Sequence, residues 1–142
     1  MEPRPIDILL VEDDELDVMN IQRALHGAAD VRSLTVASDG REALEMLRAG
    51  GLSLRRLVIL LDLRMPRMSG LELLAVLRDD ARLNHVPVVV LTTSADDDDR
   101  EAAFRLHVAG YFVKPGAVGP FRELIAGLVR YWTWSELASG HD

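Results

Sequence analysis

The sequence predicts one α/β domain, a parallel sheet with helices on both faces. Short apolar runs alternate five times with stretches of helical spacing. The runs are too uniformly apolar for strands with one wet face and suit parallel strands buried on both sides. The length, 142 residues, fits one compact domain. At that size folding removes roughly two-thirds of the unfolded chain's surface from water, so neither a disulfide nor a structural metal is needed.

The elements follow in order. Ile6–Val11 reads as a buried strand with β-branched Ile6, Ile8 and Val11. Residues 16–25 have helical spacing at Leu16, Met19, Ile21, Ala24 and Leu25. Val31–Ala37 alternates and reads as the second strand. Gly40 opens a helix through residue 47, ended by Gly50 and Gly51. Leu57–Leu61 is a third buried strand. Residues 70–78 form a third helix, with Leu71, Leu74, Val76 and Leu77 as its apolar contacts. Residues 87–91 form the fourth strand, 97–106 a more polar fourth helix, 111–113 a short fifth strand and 118–131 the last helix. The whole chain, 1–142, is expected to be a single domain with a core of about 5–131 and a short extension over 132–142.

Right-handed crossovers leave few ways to connect five such units, and the flavodoxin-like (βα)5 doubly wound order 2-1-3-4-5 is the one predicted. In such sheets a ligand binds beyond the carboxyl ends of the strands, where strand order reverses. Here the reversal falls between strands one and three.

Composition narrows the function. The net charge is −7 and the pI about 5.0, which argues against nonspecific binding to DNA or RNA. The absence of cysteine excludes thiol redox chemistry, disulfides and thiolate metal sites. It is compatible with a reducing compartment, and a cytoplasmic location is expected. The N-terminus lacks the apolar core of a signal peptide, and the longest apolar runs, 57–61 and 86–91, are too short to span a bilayer, so no membrane partner is expected.

The strand ends carry the chemistry. The first strand runs into Glu12, Asp13 and Asp14, and the third into Asp62. In a 2-1-3 arrangement these acids share one crevice, where like charges raise one another's pKa unless a cation compensates. Mg²⁺ suits the site because it takes only one or two carboxylates and keeps room for phosphate oxygens. Acids after strands also cap helices, and for Asp14 alone capping is the better reading. The fourth strand ends at Thr92, followed by Thr93 and Ser94, and offers a hydroxyl donor, although such a run is commonly only a loop or cap. The fifth ends at Lys114 and Pro115, and Lys114 is the only lysine in the chain. Lys-Pro is commonly a solvated turn, but an ammonium also suits a phosphate. The combination of the four strand ends is far more specific than any one of them. It fits attack by the Asp62 carboxylate on a phosphoryl group to give an acyl phosphate, with Thr92 and Lys114 holding oxygens that the metal leaves free.

The ordered set of Val11-Glu12-Asp13-Asp14, Leu61-Asp62-Leu63-Arg64-Met65-Pro66 with Gly70, Leu91-Thr92-Thr93-Ser94 and Tyr111-Phe112-Val113-Lys114-Pro115 resembles the receiver domains of two-component response regulators. The resemblance covers roughly residues 5–131. It implies that Asp62 accepts phosphate from a sensor histidine kinase. It implies that Glu12 and Asp13 form the acidic pair, and that Asp13, Asp62 and the Arg64 backbone carbonyl ligate Mg²⁺. It implies that Thr92 and Tyr111 act as the switch, and that Lys114 contacts the phosphoryl group and precedes a cis bond to Pro115. The run from Val88 to Ser94, the aspartates after it, Leu106-His107-Val108 and Tyr131-Trp132 further resemble the small response regulators paired with bacteriophytochrome kinases. That likeness implies homodimers formed through the fourth helix, fifth strand and fifth helix. Thr93, Gly116 and the longer basic loop over 50–56 depart from the usual pattern.

Other residues support weaker readings. His26, His85, His107 and His141 lack ligand spacing. His107, at the end of the fourth helix, suits the dipole as a cation. Asp96 to Asp99 lacks the glycine and distal glutamate of a calcium loop and reads as the acidic start of the fourth helix. Leu124, Ile125, Leu128 and Val129 exceed one core-facing stripe. With Tyr131 and Trp132 they suggest an interface made of Leu124, Leu128, Tyr131 and Trp132, although Trp132 and Trp134, placed past the last helix, also suit a plug of the domain's own core.

The expected function is a stand-alone response regulator that signals through a changed protein surface, to another copy, a kinase or a downstream phosphotransfer protein. Only about ten residues follow the last helix, so neither a DNA-binding nor an enzymatic output domain is expected. The alternatives are a Mg²⁺-dependent phosphatase or transferase with an aspartyl-phosphate intermediate, and a degenerate receiver acting as a constitutive interaction module. The first is disfavoured because such enzymes place an acid two residues after the nucleophile, where Arg64 stands here. Self-dephosphorylation remains the only hydrolysis expected. A flavin-binding reading lacks a phosphate cradle after the first strand.

Overall fold

In the computed structural model, which describes residues 2–138, ten elements alternate strictly. They are β1 Ile6–Val11, α1 Glu15–Leu25, β2 Val31–Ala37, α2 Gly40–Ala49, β3 Leu57–Leu61, α3 Gly70–Asp79, β4 Val88–Thr92, α4 Asp97–Arg105, β5 Gly110–Val113 and α5 Val118–Trp134. The five strands are parallel and lie in the order β2-β1-β3-β4-β5, as the sequence predicts.

The continuous apolar runs are explained by two cores. From β1, Leu9 and Val11 face the core under α2, α3 and α4, while Ile8 and Leu10 face the core under α1 and α5. The central strands β3 and β4 alternate in the same way, with Ile59, Leu61, Val88 and Val90 on one side and Val58, Leu60, Val89 and Leu91 on the other. Every residue of β1, β3 and β4 is buried. Burying each Val, Leu or Ile side chain among them contributes about 1.5–3 kcal/mol, and this central slab is the rigid base on which the strand ends stand.

Helix starts follow capping chemistry. Asp14 caps α1, accepting from the N–H groups of Leu16 and Asp17, so α1 begins one residue earlier than apolar spacing suggests. Ser69 and Glu72 form a capping box at α3, and Asp96 caps α4. Gly50 ends α2 in the left-handed region at φ 79°, which glycine adopts without penalty.

Several boundaries differ from expectation. The fourth strand runs 88–92 rather than 87–91: proline has no N–H, so Pro87 enters only through its carbonyl, which accepts from Ile59, and Thr92 extends the ladder to Val113. The last helix does not stop at 131, and Trp132 and Trp134 lie inside it. The cause is Arg56, whose guanidinium donates to the carbonyls of Trp132 and Ser135 and so satisfies the helix end from outside. The basic loop before β3 therefore has a structural use. Among the described residues no peptide bond is cis, so the bond before Pro115 is trans, the intrinsically favoured isomer. At the end of α4 the cation that faces the carbonyls is Arg78, which donates to Leu106 and His107, rather than His107 itself. His141 lies outside the described residues. No helix among the described residues is long and apolar enough to cross a membrane.

Candidate functional site

Register brings four strand ends to one rim. Val11 pairs with Leu61, so Glu12 and Asp62 follow side by side. Thr92 pairs with Val113, which puts Lys114 next to Thr92. Backbone bonds carry the ladder one step further: Asp62 N–H donates to the Val11 carbonyl at 3.0 Å and Lys114 N–H to the Thr92 carbonyl at 2.7 Å. The functional side chains thus leave the sheet from a fixed backbone, as a preorganised site requires.

Glu12, Asp13 and Asp62 each offer a carboxylate oxygen, and these lie within 4.8 Å of one another. Glu12 and Asp62 are buried and Asp13 is exposed. Such a set fits a hard divalent cation: all donors are oxygens, the site opens to water on the Asp13 side, and negative charge is concentrated where burial penalises it.

The Lys114 ammonium is the positive pole. It donates to Glu12 Oε1 at 2.6 Å and to Asp17 Oδ2 at 2.7 Å, and lies 3.9 Å from Asp62 Oδ2. Burial pushes the Glu12 carboxyl up to about 8, with the Asp62 charge adding to it and the Lys114 bond opposing. Burial pulls the Lys114 ammonium down, but the bonds to Asp17 and Glu12 outweigh it and leave Lys114 above its ordinary value.

Thr92 is fully buried, and its Oγ1 accepts from the Ser94 N–H at 3.2 Å. Tyr111, half-buried on β5, donates its hydroxyl to the Ser94 carbonyl at 2.8 Å. Two residues after Asp62, the Arg64 N–H approaches Asp62 Oδ1 at 3.4 Å, while its guanidinium reaches Asp99 on α4. Thr93, next along the chain from Thr92, is exposed.

Gly70 is the tightest point in the loop behind Asp62. A Cβ there would lie 2.3 Å from the Asp62 carbonyl oxygen and 2.7 Å from Leu63 Cα. Only glycine lets the start of α3 come so close to the strand end.

On α5, Leu124, Leu128 and Trp132 are half-buried against the second core and Tyr131 is exposed. Trp132 thus contributes to its own core, and its ring meets Tyr131 edge-on at 5.0 Å. The same four residues line a largely apolar groove of about 540 Å³ with Phe112 and Gly110 of the edge strand β5.

Two acids were missed in the sequence. Asp17 reads there as an ordinary first-turn acid of α1, and Asp99 as one more aspartate in a charged run. Each has its partner far away in sequence, and local spacing carries no signal for such a contact.

Comparison with known proteins places this arrangement. The model of the response regulator receiver domain family matches residues 8–126. The chain belongs to that family. It is 40% identical over 131 residues to the probable methanogenesis regulatory protein FilR2 of Methanothrix harundinacea, covering 90% of this chain and 84% of that protein. It is 36% identical over 131 residues to response regulator Rcp1 of Synechocystis sp., covering 90% and 89%. Among solved structures, the Mn²⁺-bound form of Rcp1 superposes with a TM-score of 0.86 at 34% identity, over 95% of this chain and 100% of the other. The phosphorylated cyanobacterial phytochrome response regulator RcpA superposes with a TM-score of 0.88 at 33% identity, over 95% and 99%. The chain is therefore a receiver domain of two-component signalling, with phytochrome response regulators among its structural relatives.

Proposed function

We propose that this receiver accepts a phosphoryl group on Asp62 from a sensor histidine kinase, in the presence of Mg²⁺, and signals through a changed protein surface. The observation that carries this reading is the convergence of Asp62 with Glu12 and Asp13 on one side and the Lys114 ammonium on the other.

Asp62 Oδ attacks phosphorus, and the bond from phosphorus to the donor atom breaks as the new P–O bond forms. Glu12, Asp13, Asp62 and the Arg64 carbonyl are the residues that would hold Mg²⁺, which when bound offsets charge on the phosphoryl oxygens. Lys114 and the Thr92 hydroxyl stabilise the same oxygens. To donate to a phosphoryl oxygen, Thr92 turns from its present bond with the Ser94 N–H. Tyr111 shares Ser94 through the carbonyl, so a change at Thr92 is felt at β5. The surface that reads it is α4, β5 and α5, where Phe104, Val113, Tyr131 and Trp134 are exposed. A second copy seated there, with Leu124, Leu128, Tyr131 and Trp132 at its centre, is the dimer proposed; a downstream phosphotransfer protein is a further reader of the same change.

Turnover of an external substrate is not part of this reading. The position that would hold a second acid is Arg64, and its guanidinium is engaged by Asp99. Likeness to the cyanobacterial phytochrome response regulator RcpA supports a phytochrome-type kinase, such as the bacteriophytochrome expected from the sequence, and the acidic charge and cysteine-free composition support a cytoplasmic role without nucleic acid.

The test is incubation with Mg²⁺ and acetyl phosphate, read by intact mass. One added phosphoryl that requires Mg²⁺ and is absent in Asp62→Asn supports the reading. Failure to label, together with failure to bind beryllofluoride, overturns it in favour of a constitutive interaction module.

A further inference from the structure

A lysine ammonium has three N–H donors. Lys114, whose side chain is 6% exposed, gives two of them to Glu12 Oε1 and Asp17 Oδ2. The third carboxylate, Asp62 Oδ2, is at 3.9 Å, close enough to feel the charge and too far for a hydrogen bond. Glu12 and Asp62 belong to the acidic cluster beside Asp13, and Asp17 does not.

Asp17 is held from behind. It stands in the first turn of α1, and its own N–H donates to Oδ1 of the capping Asp14 at 3.1 Å. From there its carboxylate reaches Lys114, 97 residues away in sequence. An acid in a first helical turn is favoured by the dipole alone. That preference needs no partner and does not account for a 2.7 Å bond to the one lysine of the site.

We propose that Asp17 is a positioning residue that keeps the Lys114 ammonium beside the Asp62 carboxylate without letting it bond to it. The inference rests on Asp62 being the phosphoacceptor. If Asp17 is removed, the freed N–H can turn to the Asp62 carboxylate, which lies 3.9 Å away and does not yet bond to the ammonium. A direct Lys114–Asp62 bond would occupy a lone pair needed for attack on phosphorus and withdraw charge from the nucleophile. With Asp17 in place, the third N–H stays available for the phosphoryl oxygens as they arrive. Asp17 therefore acts through Lys114 on the rate of attack and leaves binding of the phosphodonor alone.

The experiment measures labelling of the full chain by acetyl phosphate with Mg²⁺, as rate against donor concentration, for the parent, Asp17→Ala, Asp17→Asn and Asp17→Glu, with Asp62→Asn as the blank. The maximal rate of Asp17→Ala should fall roughly three- to tenfold, with half-saturating donor unchanged within about twofold. Asp17→Glu should recover most of the rate, and the near-isosteric Asp17→Asn, which keeps an acceptor oxygen but no charge, should fall between. If Asp17→Ala fails to fold, Asp17→Asn against Asp17→Glu carries the comparison. A folded Asp17→Ala or Asp17→Asn as fast as the parent overturns the proposal, as does a loss seen only in half-saturating donor, while leaving the receiver reading intact. A parent that neither takes up label nor binds beryllofluoride overturns the receiver reading and this proposal with it.

Discussion

The Arg64 guanidinium spans the gap from the loop after β3 to the Asp99 carboxylate on α4, with Nη2 2.6 Å and Nε 3.2 Å from Oδ2. Asp99 Oδ2 also accepts from the Ser94 hydroxyl at 2.7 Å, and the Ser94 carbonyl accepts from Tyr111. The first turn of α4 is thereby tied both to the loop after Asp62 and, through Ser94, to Tyr111 on β5. The Ser94 hydroxyl, and then Arg64, hold the Asp99 carboxyl below its ordinary range. The depressed value means that the stabilisation is present above the ordinary carboxylate pKa and is lost only as pH falls through the folded value.

Arg64→Ala should therefore loosen α4 locally. Arg64 is mostly exposed, and such pairs add little to global stability, so the melting temperature should barely move. Amide exchange in α4 should speed up while α1 and α3 keep their protection. Unchanged α4 exchange, measured by mass spectrometry, would show that the bridge does not restrain the helix.

Gly70→Ala should disturb the site from behind. The new methyl would meet the Asp62 carbonyl oxygen and Leu63 Cα, backbone atoms that cannot yield as a side-chain tip can. Overpacking of this kind costs about 1–3 kcal/mol, and here the strain falls on the peptide that carries Asp62. Urea denaturation should show the lower stability, and acetyl phosphate labelling should slow. A variant with the parent's midpoint and labelling rate would mean that α3 can shift without moving Asp62.

Much of this was legible in the sequence because it rests on local pattern. Uniform apolar runs gave β1 and β3 to the residue, and the order 2-1-3-4-5 followed from the handedness of the crossovers. Glu12, Asp62, Thr92 and Lys114 were found because each stands immediately after, or ends, such a run. Pairings between side chains distant in sequence were not legible. Asp17, Asp99 and Arg56 are an acid in a first turn, an acid in a charge run and an arginine in a loop until the fold supplies Lys114, Arg64 and the end of α5. The same gap misplaced the end of the last helix, since the donor that satisfies its carbonyls lies 76 residues before Trp132.

Cation binding should depend on pH through Glu12. Burial raises this carboxyl from 4.5 to about 8 in the metal-free protein. A raised acid means that the folded state holds a proton that the unfolded state has released. Its effect on stability is therefore to lower it as pH rises between 4.5 and about 8. A divalent cation needs the ionised form, so binding releases the proton and apparent Mg²⁺ affinity should climb with pH across that window. Calorimetric titration at pH 6, 7, 8 and 9 should show the climb, and Glu12→Gln should flatten it. An affinity independent of pH above 6 would mean that Glu12 is already ionised at neutral pH.

Arg56→Ala should release the end of α5. Arg56 Nη1 donates to the Ser135 carbonyl at 2.9 Å, and Nη2 donates to those of Trp132 at 3.1 Å and Arg4 at 3.0 Å. The Arg4 N–H in turn donates to the Thr133 carbonyl at 2.8 Å, so one guanidinium joins the N-terminal segment, the loop before β3 and the last turn of α5. Removing it leaves helix-end carbonyls without their donor, at a cost of about 1–3 kcal/mol. Arg56→Lys should not restore the loss, because a single ammonium lacks the planar fork that spans three carbonyls. Trp132 and Trp134, the only tryptophans in the chain, report on this turn directly. Their emission should shift to the red in Arg56→Ala, and the urea midpoint should fall. If the proposed dimer seats on Tyr131 and Trp132, the same variant should also dissociate more readily in light scattering. Parent-like emission and midpoint would show that α5 holds its last turn by packing alone.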